Sequence, residues 1–246
     1  MIQSLARGLE ILLILGRKES ATIAELAKEL GVDKSTASRL VVTLANYDMV
    51  RLNSLNKKHH LGFRILTLSD SIGRNIDIIS LARPHMYKLS EQIGESVHIC
   101  SITDDAVYVI DQVRSKRAYS LSATIGMIEP WHCSAVGKCI LAYKDESFIK
   151  MMLERFGMHR YTKNTIVDVD EMLEEVSRIR EVGYAVDNEE VALGVRCIAA
   201  PIFKFGGQVS YSMGISGPTA NITRSKIADY AACVADICRT FSKELS

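Results

Sequence analysis

The sequence predicts an α+β fold in which a small helical unit comes first and a larger unit with an antiparallel sheet follows. Residues 2–64 give three short amphipathic helices and two short strands, whereas residues 83–246 give strands interrupted by helices. A chain of 246 residues that is 48% hydrophobic and 24% charged, with only four prolines, is typical of globular domains. Collagen-like, coiled-coil and disordered chains are therefore excluded.

Charge is distributed unevenly between these two parts. The whole chain has a formal net charge of +1. Residues 1–68 hold ten basic and six acidic residues, a net charge of +4, so the remaining 178 residues carry −3. The near-zero net charge of the whole chain is therefore the sum of a basic unit and an acidic unit. The basic unit suits a polyanionic partner.

Apolar runs and cysteines indicate the compartment. The longest apolar run near the start, Ile11–Leu15, is too short for a membrane span or a signal peptide. The six cysteines form no CxxC pair and no spacing typical of a disulfide scaffold. We expect a cytoplasmic protein with reduced thiols and no membrane partner.

Two helices open the chain. Leucines at helical spacing predict the first one: Leu5, Leu9, Leu12 and Leu13. Gly16 follows them, where a left-handed C-terminal cap is wanted. Thr22 and Glu25 form a capping box that starts the second helix, which ends at Gly31.

A third helix starts at Asp33, its predicted N-cap, and runs to about Tyr47. The short glycine-containing turn before it is the helix-turn-helix arrangement. Its apolar stripe comprises Ala37, Leu40, Val41 and Leu44. Away from that stripe lie Lys34, Ser35, Thr36, Ser38 and Arg39. Because arginine can bond a guanine edge and hydroxyls can hold phosphates, these five side chains predict a DNA recognition helix.

Two short strands, 49–53 and 59–63, follow the third helix and enclose a basic tip. Lys57 and Lys58 at this tip suit a wing that holds the DNA backbone. A helical module that contacts another protein is the alternative, but it leaves the basic wing without a role.

The rest of the chain predicts a linker helix over 65–82 and then the sheet unit. Pro84 starts a helix that ends at Gly94. Strands are predicted at 96–102, 106–113, 118–124, 184–187, 196–203 and 208–216. Helices are predicted at 134–143, 145–156 and 168–182, with a last one from an N-cap at Thr223 to Leu245. The predicted domains are therefore 1–64, 65–82 and 83–246.

Several motifs, taken in order, resemble the IclR (isocitrate lyase regulator) family of bacterial transcription factors. They are Gln3–Leu9, Lys34–Thr36 with Arg39-Leu40, Leu81–His85, His132–Lys138, Gly183–Asp187, Gly194–Pro201 and Ile215–Pro218. The resemblance implies a winged helix-turn-helix, a linker helix and a GAF-like effector-binding domain. It also implies a homodimer or homotetramer, double-stranded operator DNA and a small organic-acid effector. We expect a regulator, more readily a repressor, of a catabolic operon; the residues do not specify the effector, the operator, or repression against activation.

Ser134 suits an N-cap, so the first N–H groups of its helix can attract a carboxylate. In the resembled family the amides matching Ala135 and Val136 contact the acid effector. Asp187 and Cys197 match further contact positions. The alternatives are an ordinary capped helix, a solvated turn residue and a core thiol.

A hydroxyl pair of the family corresponds here to Gly214 and Ser216, and only Ser216 is kept. We expect the glycine to open space for a ligand larger than a two- or three-carbon acid, such as a sugar acid or aromatic acid. Leu121 and Met127 are predicted to form an apolar lid, with plain core packing as the alternative.

An enzyme is a competing interpretation, because residues of these types can act as nucleophiles, bases or metal ligands: His98, Cys100, His132, Cys133 and Cys139. Their spacing shows no oriented catalytic pair and no paired zinc ligands. We therefore predict no catalytic residue, no metal and no cofactor. A GAF-type enzyme or a sensor that does not bind DNA stays as the alternative function.

Overall fold

The computed structural model describes residues 2–75, 77–103, 106–117, 121, 123–204 and 207–245, with the backbone alone over 70–75 and at 77. It divides into two compact units, Met1–Asp77 and Ile78–Ser246. Among the described residues, no helix combines the length and apolarity needed to cross a membrane.

The first unit is a winged helix-turn-helix, as predicted. Its elements are α1 (Gln3–Lys18), α2 (Ile23–Leu30), α3 (Lys34–Asn46), β1 (Val50–Leu52), β2 (His59–Leu61) and α4 (Arg64–Asn75). The strands β1 and β2 pair antiparallel, and a bridge between Ala21 and His59 ties this wing to the start of α2. Each of these two strands is three residues long, whereas the sequence predicted five residues for each.

Caps fix the helix-turn-helix as the sequence indicates. The Thr22 side chain accepts from the Glu25 N–H and the Glu25 side chain accepts from the Thr22 N–H, which completes the capping box. Gly31 ends α2 in the left-handed conformation, with φ of 62°, which favours glycine. Asp33 then caps α3.

The leucines whose spacing predicts α1 are mostly not the residues that this helix buries. The helix buries the face formed by Gly8, Ile11, Ile14 and Leu15. Leu5, Leu9 and Leu13 are instead 60%, 54% and 67% exposed. Both faces of this helix are apolar, so leucine spacing alone could not identify the one that packs against α2, α3 and the wing. Gly16 lies inside α1, which runs on to Lys18.

The second unit contains one six-stranded sheet and five helices among its described residues. The helices are α5 (Asp77–Ile93), α6 (Ala135–Leu141), α7 (Glu146–Phe156), α8 (Val169–Val182) and α9 (Ile227–Glu244). The strands are β3 (Ser96–Ile102), β4 (Val107–Val113), β5 (Ile128–Glu129), β6 (Ala185–Asn188), β7 (Val195–Phe203) and β8 (Val209–Pro218). The sheet is antiparallel throughout, in the order β5-β4-β3-β8-β7-β6.

Pro84 does not start a helix but lies inside α5. A buried stripe at helical spacing runs through the proline: Ile78, Ala82, Met86, Leu89 and Ile93. Burial of this stripe outweighs the backbone hydrogen bond that a proline removes. The predicted linker segment 65–82 is helical wherever it is described: 65–75 belong to α4 and 77–82 to α5, and residue 76 lies outside the described residues.

One predicted strand lies largely outside the described residues, and one observed strand was not predicted. The predicted strand 118–124 falls largely on residues 118–120 and 122, which lie outside the described residues. The strand β5 was not predicted, because two residues are too few to show alternation. A single 3-10 turn, Arg224–Lys226, follows Thr223 and precedes the last helix.

The two faces of the sheet are covered by different helices. The helix α6 packs on β6, β7 and β8, and its buried residues form one core with Cys100, Val107, Val109 and Ala199. On the other side α9 packs on β7 and β8, where the Ser242 hydroxyl accepts from the Phe203 N–H at 3.0 Å. The α6 face therefore holds the predicted effector residues of β6, β7 and β8.

Candidate DNA-binding surface and effector site

The predicted DNA-contacting residues of α3 lie in its first two turns. Lys34, Ser35 and Arg39 are exposed, and Thr36 and Ser38 are half-buried. No ion pair engages the Arg39 guanidinium among the residues the structure describes. This side chain is therefore available to a base edge or a phosphate.

Asp33 holds two of the predicted hydroxyls. Its carboxylate accepts from the Thr36 N–H at 2.9 Å, from the Ser35 hydroxyl at 2.5 Å and from the Thr36 hydroxyl at 2.8 Å. These hydrogen bonds, with that of Ser35 first, hold the pKa of Asp33 well below its ordinary value. Ser35 and Thr36 can therefore offer DNA their lone pairs, while their protons go to Asp33.

The wing tip is a structured turn. The Asn53 side chain accepts from the Leu55 N–H at 3.0 Å, and the Asn56 side chain accepts from the Lys58 N–H at 3.0 Å. Lys57 sits at φ of 56° and is exposed, whereas Lys58 is half-buried. The turn thus presents Lys57 outward as its main cation.

The start of α6 leaves two donors open. Ser134 is its N-cap, as predicted: the hydroxyl oxygen accepts from the Gly137 N–H at 3.1 Å and the hydroxyl donates to the Pro130 carbonyl at 2.8 Å. Ala135 and Val136 are buried, and neither N–H has an acceptor among the described residues. Buried N–H groups normally have a partner, so this pair is suited to an anionic ligand.

Three predicted effector residues form a row across neighbouring strands. Asp187 on β6 pairs in register with Cys197 on β7, which pairs with Ser216 on β8. The Cys197 sulfur lies 3.2 Å from the Ser216 hydroxyl oxygen. Side chains paired across strands share one face of a sheet, so the structure brings these three together beneath α6.

Asp187 is buried, with 2% of it exposed, and is not a solvated turn residue. Its Oδ1 accepts from the Glu190 N–H at 2.7 Å and from the Val191 N–H at 3.3 Å. Burial raises the pKa of Asp187 to about 6, against the lowering effect of these bonds and of Lys138. Burial likewise raises the pKa of the Cys197 thiol, so this group is a neutral lining atom.

Gly214 does not open space, contrary to the sequence-based expectation. A Cβ added there would lie 2.8 Å from the Ile198 carbonyl oxygen and 3.0 Å from the Ala199 Cβ. Neighbouring strands already fill this room. Close packing between β7 and β8 explains the glycine. Gly214 therefore does not support a larger ligand.

The predicted lid residues are only partly placed. Met127 is 44% exposed, and its carbonyl accepts from the Val109 N–H at 3.0 Å, which puts it beside the edge of β4. Leu121 is half-buried. Its neighbours 118–120 and 122 lie outside the described residues, and the lid formed by Leu121 and Met127 stays a prediction.

Sequence reasoning missed two polar residues of the same face. His98 on β3 pairs with Gly214, is 4% exposed, and places Nδ1 3.4 Å from the Ser216 hydroxyl oxygen. Burial lowers the pKa of His98 to about 4, so the ring is neutral. Glu129 on β5 pairs with Val107, whose side chain belongs to the α6 core, and burial raises the pKa of Glu129. The sequence signal for His98 is its position in a strand between the apolar residues Val97 and Ile99. No sequence signal points to Glu129.

A buried ion network lies one turn into α6. The Lys138 ammonium, 1% exposed, donates to Glu190 at 2.5 Å, to Glu175 at 3.1 Å and to the Val186 carbonyl at 2.7 Å. Burial raises the pKa of Glu190 to about 7 despite Lys138. The network anchors α6 to the chain around Asp187.

The residues considered for catalysis do not form a reactive centre. Burial raises the pKa of Cys133 and of Cys139, which disfavours a thiolate at either. The His132 Nε2 lies 3.0 Å from the His159 carbonyl oxygen. Within the described part of the chain, no group of three or more His, Cys, Asp or Glu side chains could hold a metal ion.

Comparison with known proteins gives a consistent result over nearly the whole chain. Residues 4–54 match the IclR helix-turn-helix domain, and residues 71–243 match the C-terminal domain of the bacterial transcriptional regulator IclR. The transcriptional repressor IclR of Escherichia coli is 32% identical over 95% of this chain and 86% of its own length. The transcriptional repressor AllR of E. coli is 30% identical over 99% of this chain and 90% of its own length. The crystal structure of the Thermotoga maritima IclR matches with a TM-score of 0.82 and 26% identity, over 100% of this chain and 99% of that one.

Proposed function

The chain belongs to the IclR family of bacterial transcriptional regulators, and from this premise we propose that it is a dimeric repressor released from its operator by a small organic acid. Its relatives are DNA-binding transcriptional regulators and not enzymes. This chain is therefore a DNA-binding transcriptional regulator. The residues that contact DNA, the oligomeric assembly, the effector and the choice of repression over activation are what we propose.

We assign DNA recognition to α3. Arg39 contacts a base edge, Lys34 and the oxygens of Ser38, Ser35 and Thr36 line the groove, and Lys57 and Lys58 hold the backbone. The exposure of Arg39 in the second turn of a capped helix is the observation that carries this assignment. Two copies of α3 would enter major grooves separated by about 34 Å or a multiple of it.

Dimer formation is assigned to the exposed leucine face of α1, which comprises Leu5, Leu9 and Leu13. A large apolar face on a small unit marks an interaction site. A second copy of the chain is the partner we propose, because a symmetric dimer would present two copies of α3 to DNA.

Effector binding is assigned to the α6 face of the sheet. The effector carboxylate accepts from the Ala135 and Val136 N–H groups, with Asp187, Cys197 and Ser216 as further contacts and Leu121 and Met127 near the entrance. The two buried N–H groups without acceptors carry this assignment. Gly214 contributes close packing only.

Repression is favoured because the relatives IclR and AllR are both named transcriptional repressors. The effector changes operator affinity only by its differential affinity for the two states, typically about 1–3 kcal/mol. A catabolic operon as target and a cytoplasmic location belong to the same proposal.

The test is salt-dependent binding of the purified full chain to the DNA upstream of its own gene, followed by fluorescence anisotropy. We expect affinity to fall steeply and linearly on logarithmic axes as salt rises, because phosphate contacts release counterions. A scrambled duplex of the same length is the control. No binding to either duplex would favour the alternative of a sensor that does not bind DNA, and equal affinity for both would show only non-specific binding and contradict an operator in this DNA.

A further inference from the structure

A cavity of about 370 Å³ lies in the second unit at the edge strand β6. Val186 and Asn188 line it, and they alternate with Asp187 along that strand. Because successive residues of a strand point to opposite faces, their side chains point away from the row Asp187, Cys197 and Ser216. None of the predicted effector residues is among the described residues that line this cavity. It is therefore separate from the proposed effector site.

Four charged side chains in the wall of this cavity balance one another. Lys138 on α6 donates to Glu190 at 2.5 Å, to Glu175 at 3.1 Å and to the Val186 carbonyl at 2.7 Å, so all three of its donors are in use. Arg178 on α8 donates to Glu175 from Nε at 2.7 Å and from Nη2 at 2.9 Å. Two cations thus meet two carboxylates. Because their charges cancel, this wall favours neither an anion nor a cation as a ligand.

Glu190 nevertheless has one oxygen without a partner. The residue is 5% exposed, and its Oε1 accepts from Lys138 and from the Asn188 N–H at 3.3 Å. Its Oε2 is buried and has no hydrogen-bond partner among the described residues. A buried acceptor without a donor is costly, and such a group needs an explanation. Since Glu190 lines the cavity, a molecule bound there can supply the donor.

Other polar groups of the wall have unused hydrogen-bonding capacity. Asn164 donates from Nδ2 to the Asn188 carbonyl at 3.2 Å, which leaves its side-chain oxygen as an acceptor. Within the described part of the chain, the Tyr184 hydroxyl and the Arg178 Nη1 make no hydrogen bond, and both residues line the cavity. The wall therefore offers donors as well as acceptors to a ligand.

We infer that this cavity binds a small neutral polyhydroxyl molecule, of the class of the monosaccharides and cyclic polyols. One hydroxyl donates to the Glu190 Oε2, and others meet Asn164 and Tyr184, because a hydroxyl group both donates and accepts. The apolar face of the ring lies against Ile166 and Ile227, which also line the cavity. A volume of about 370 Å³ lies within the range of about 300–1,000 Å³ for small-molecule sites. This site goes beyond the proposed function, which needs only the organic-acid effector.

Ordered water is the competing explanation, since a polar cavity of this size has room for water molecules. A water molecule would also donate to the Glu190 Oε2. The two explanations differ in their readout. A cavity that holds only water gives no saturable binding of a sugar, whereas a polyol site gives binding whose affinity depends on the residues of the wall.

The experiment is titration calorimetry on the full chain at pH 8, where Glu190, with a pKa of about 7, is ionised. The probes are D-glucose, D-galactose, D-mannose, D-xylose, D-ribose and myo-inositol. We expect at least one of them to bind with one molecule per chain. Glu190→Gln should weaken that binding tenfold or more and Asn164→Ala threefold or more, because each removes an acceptor for the ligand. Lys163→Ala, exposed beside Asn164 and outside the cavity, should leave it unchanged.

Glu190→Gln also changes a partner of Lys138, so urea unfolding must first show that this variant folds. If it does not fold, Asn164→Ala decides alone. Three outcomes would overturn the inference: no probe binds, affinity is unchanged in both variants, or Ser216→Ala abolishes the binding. The last outcome would assign the sugar to the effector site. Operator binding is measured separately, so the proposed function does not depend on these results.

Discussion

Asp187 on β6 and Ser216 on β8 are each paired in register with Cys197, on the strand β7 that lies between them. Residues paired across strands share one face of a sheet, so the side chains of Asp187 and Ser216 lie two strand spacings apart, about 10 Å, on the α6 face. The strand order β8-β7-β6 is what brings residues 29 positions apart in the chain to one site.

The first prediction concerns Arg39. Arg39→Ala should weaken binding to the operator about 10- to 100-fold, because one good base contact contributes about 1–3 kcal/mol. Effector affinity and thermal stability should not change, since the side chain is exposed. Fluorescence anisotropy measures the affinity, and Lys150→Ala on α7 is the matched control. Wild-type affinity in Arg39→Ala would remove this residue from the DNA contact.

Asp187 should make stability depend on pH. Its folded pKa of about 6 lies above the ordinary value of 3.8, so between these values the folded state holds more protons than the unfolded state. The free energy of unfolding should therefore fall as pH rises from 4 to 7, by at most about 3 kcal/mol from this group.

Asp187→Asn tests that slope, because asparagine keeps the oxygen that accepts from the Glu190 and Val191 N–H groups. Urea unfolding at several pH values should show the variant gaining stability relative to the wild type as pH rises. His98 and Glu190 also titrate in this region, and they are present in both proteins. Parallel curves for the two proteins would contradict the assigned cause.

Lys138→Met should destabilise the effector-binding unit strongly. Removal of one partner from a buried ion pair costs about 3–5 kcal/mol, because the remaining carboxylates stay buried. The loss should be smaller at pH 5.5 than at pH 8, since Glu190, with a pKa of about 7, can then bind a proton. Urea unfolding measures both. Lys150→Met, which removes an exposed ion pair with Glu146, should change nothing measurable.

Local signals in the sequence predicted the fold well. The capping box at Thr22, the cap at Asp33 and the cap at Ser134 each need only three or four residues, and all three are present. The row Asp187, Cys197 and Ser216 came from the family resemblance, and the strand register now places its members side by side.

Features that depend on long-range packing could not be predicted. His98 lies beside Ser216 only because β3 pairs with β8, and no short pattern encodes a pairing between strands that are more than a hundred residues apart in the chain. The same limit applies to Gly214, whose missing side chain suggested space until the Ile198 carbonyl was placed beside it. Pro84 shows the converse, because a buried stripe on both sides of it overrides a local signal for a helix start.

The last prediction tests the leucine face of α1. Leu9→Glu places a charge on a side chain that is 54% exposed, so the isolated unit should fold normally. In a dimer that buries this face, the charge would be desolvated without a partner, which is strongly unfavourable. Light scattering after gel filtration should then show a smaller particle or faster exchange, and operator affinity should fall because two half-sites are no longer bound together. Lys28→Glu, exposed on α2, reverses a charge away from that face and should leave the particle size unchanged. If Leu9→Glu keeps both the size and the operator affinity of the wild type, the second copy binds elsewhere, and the exposed leucines of α1 need another partner.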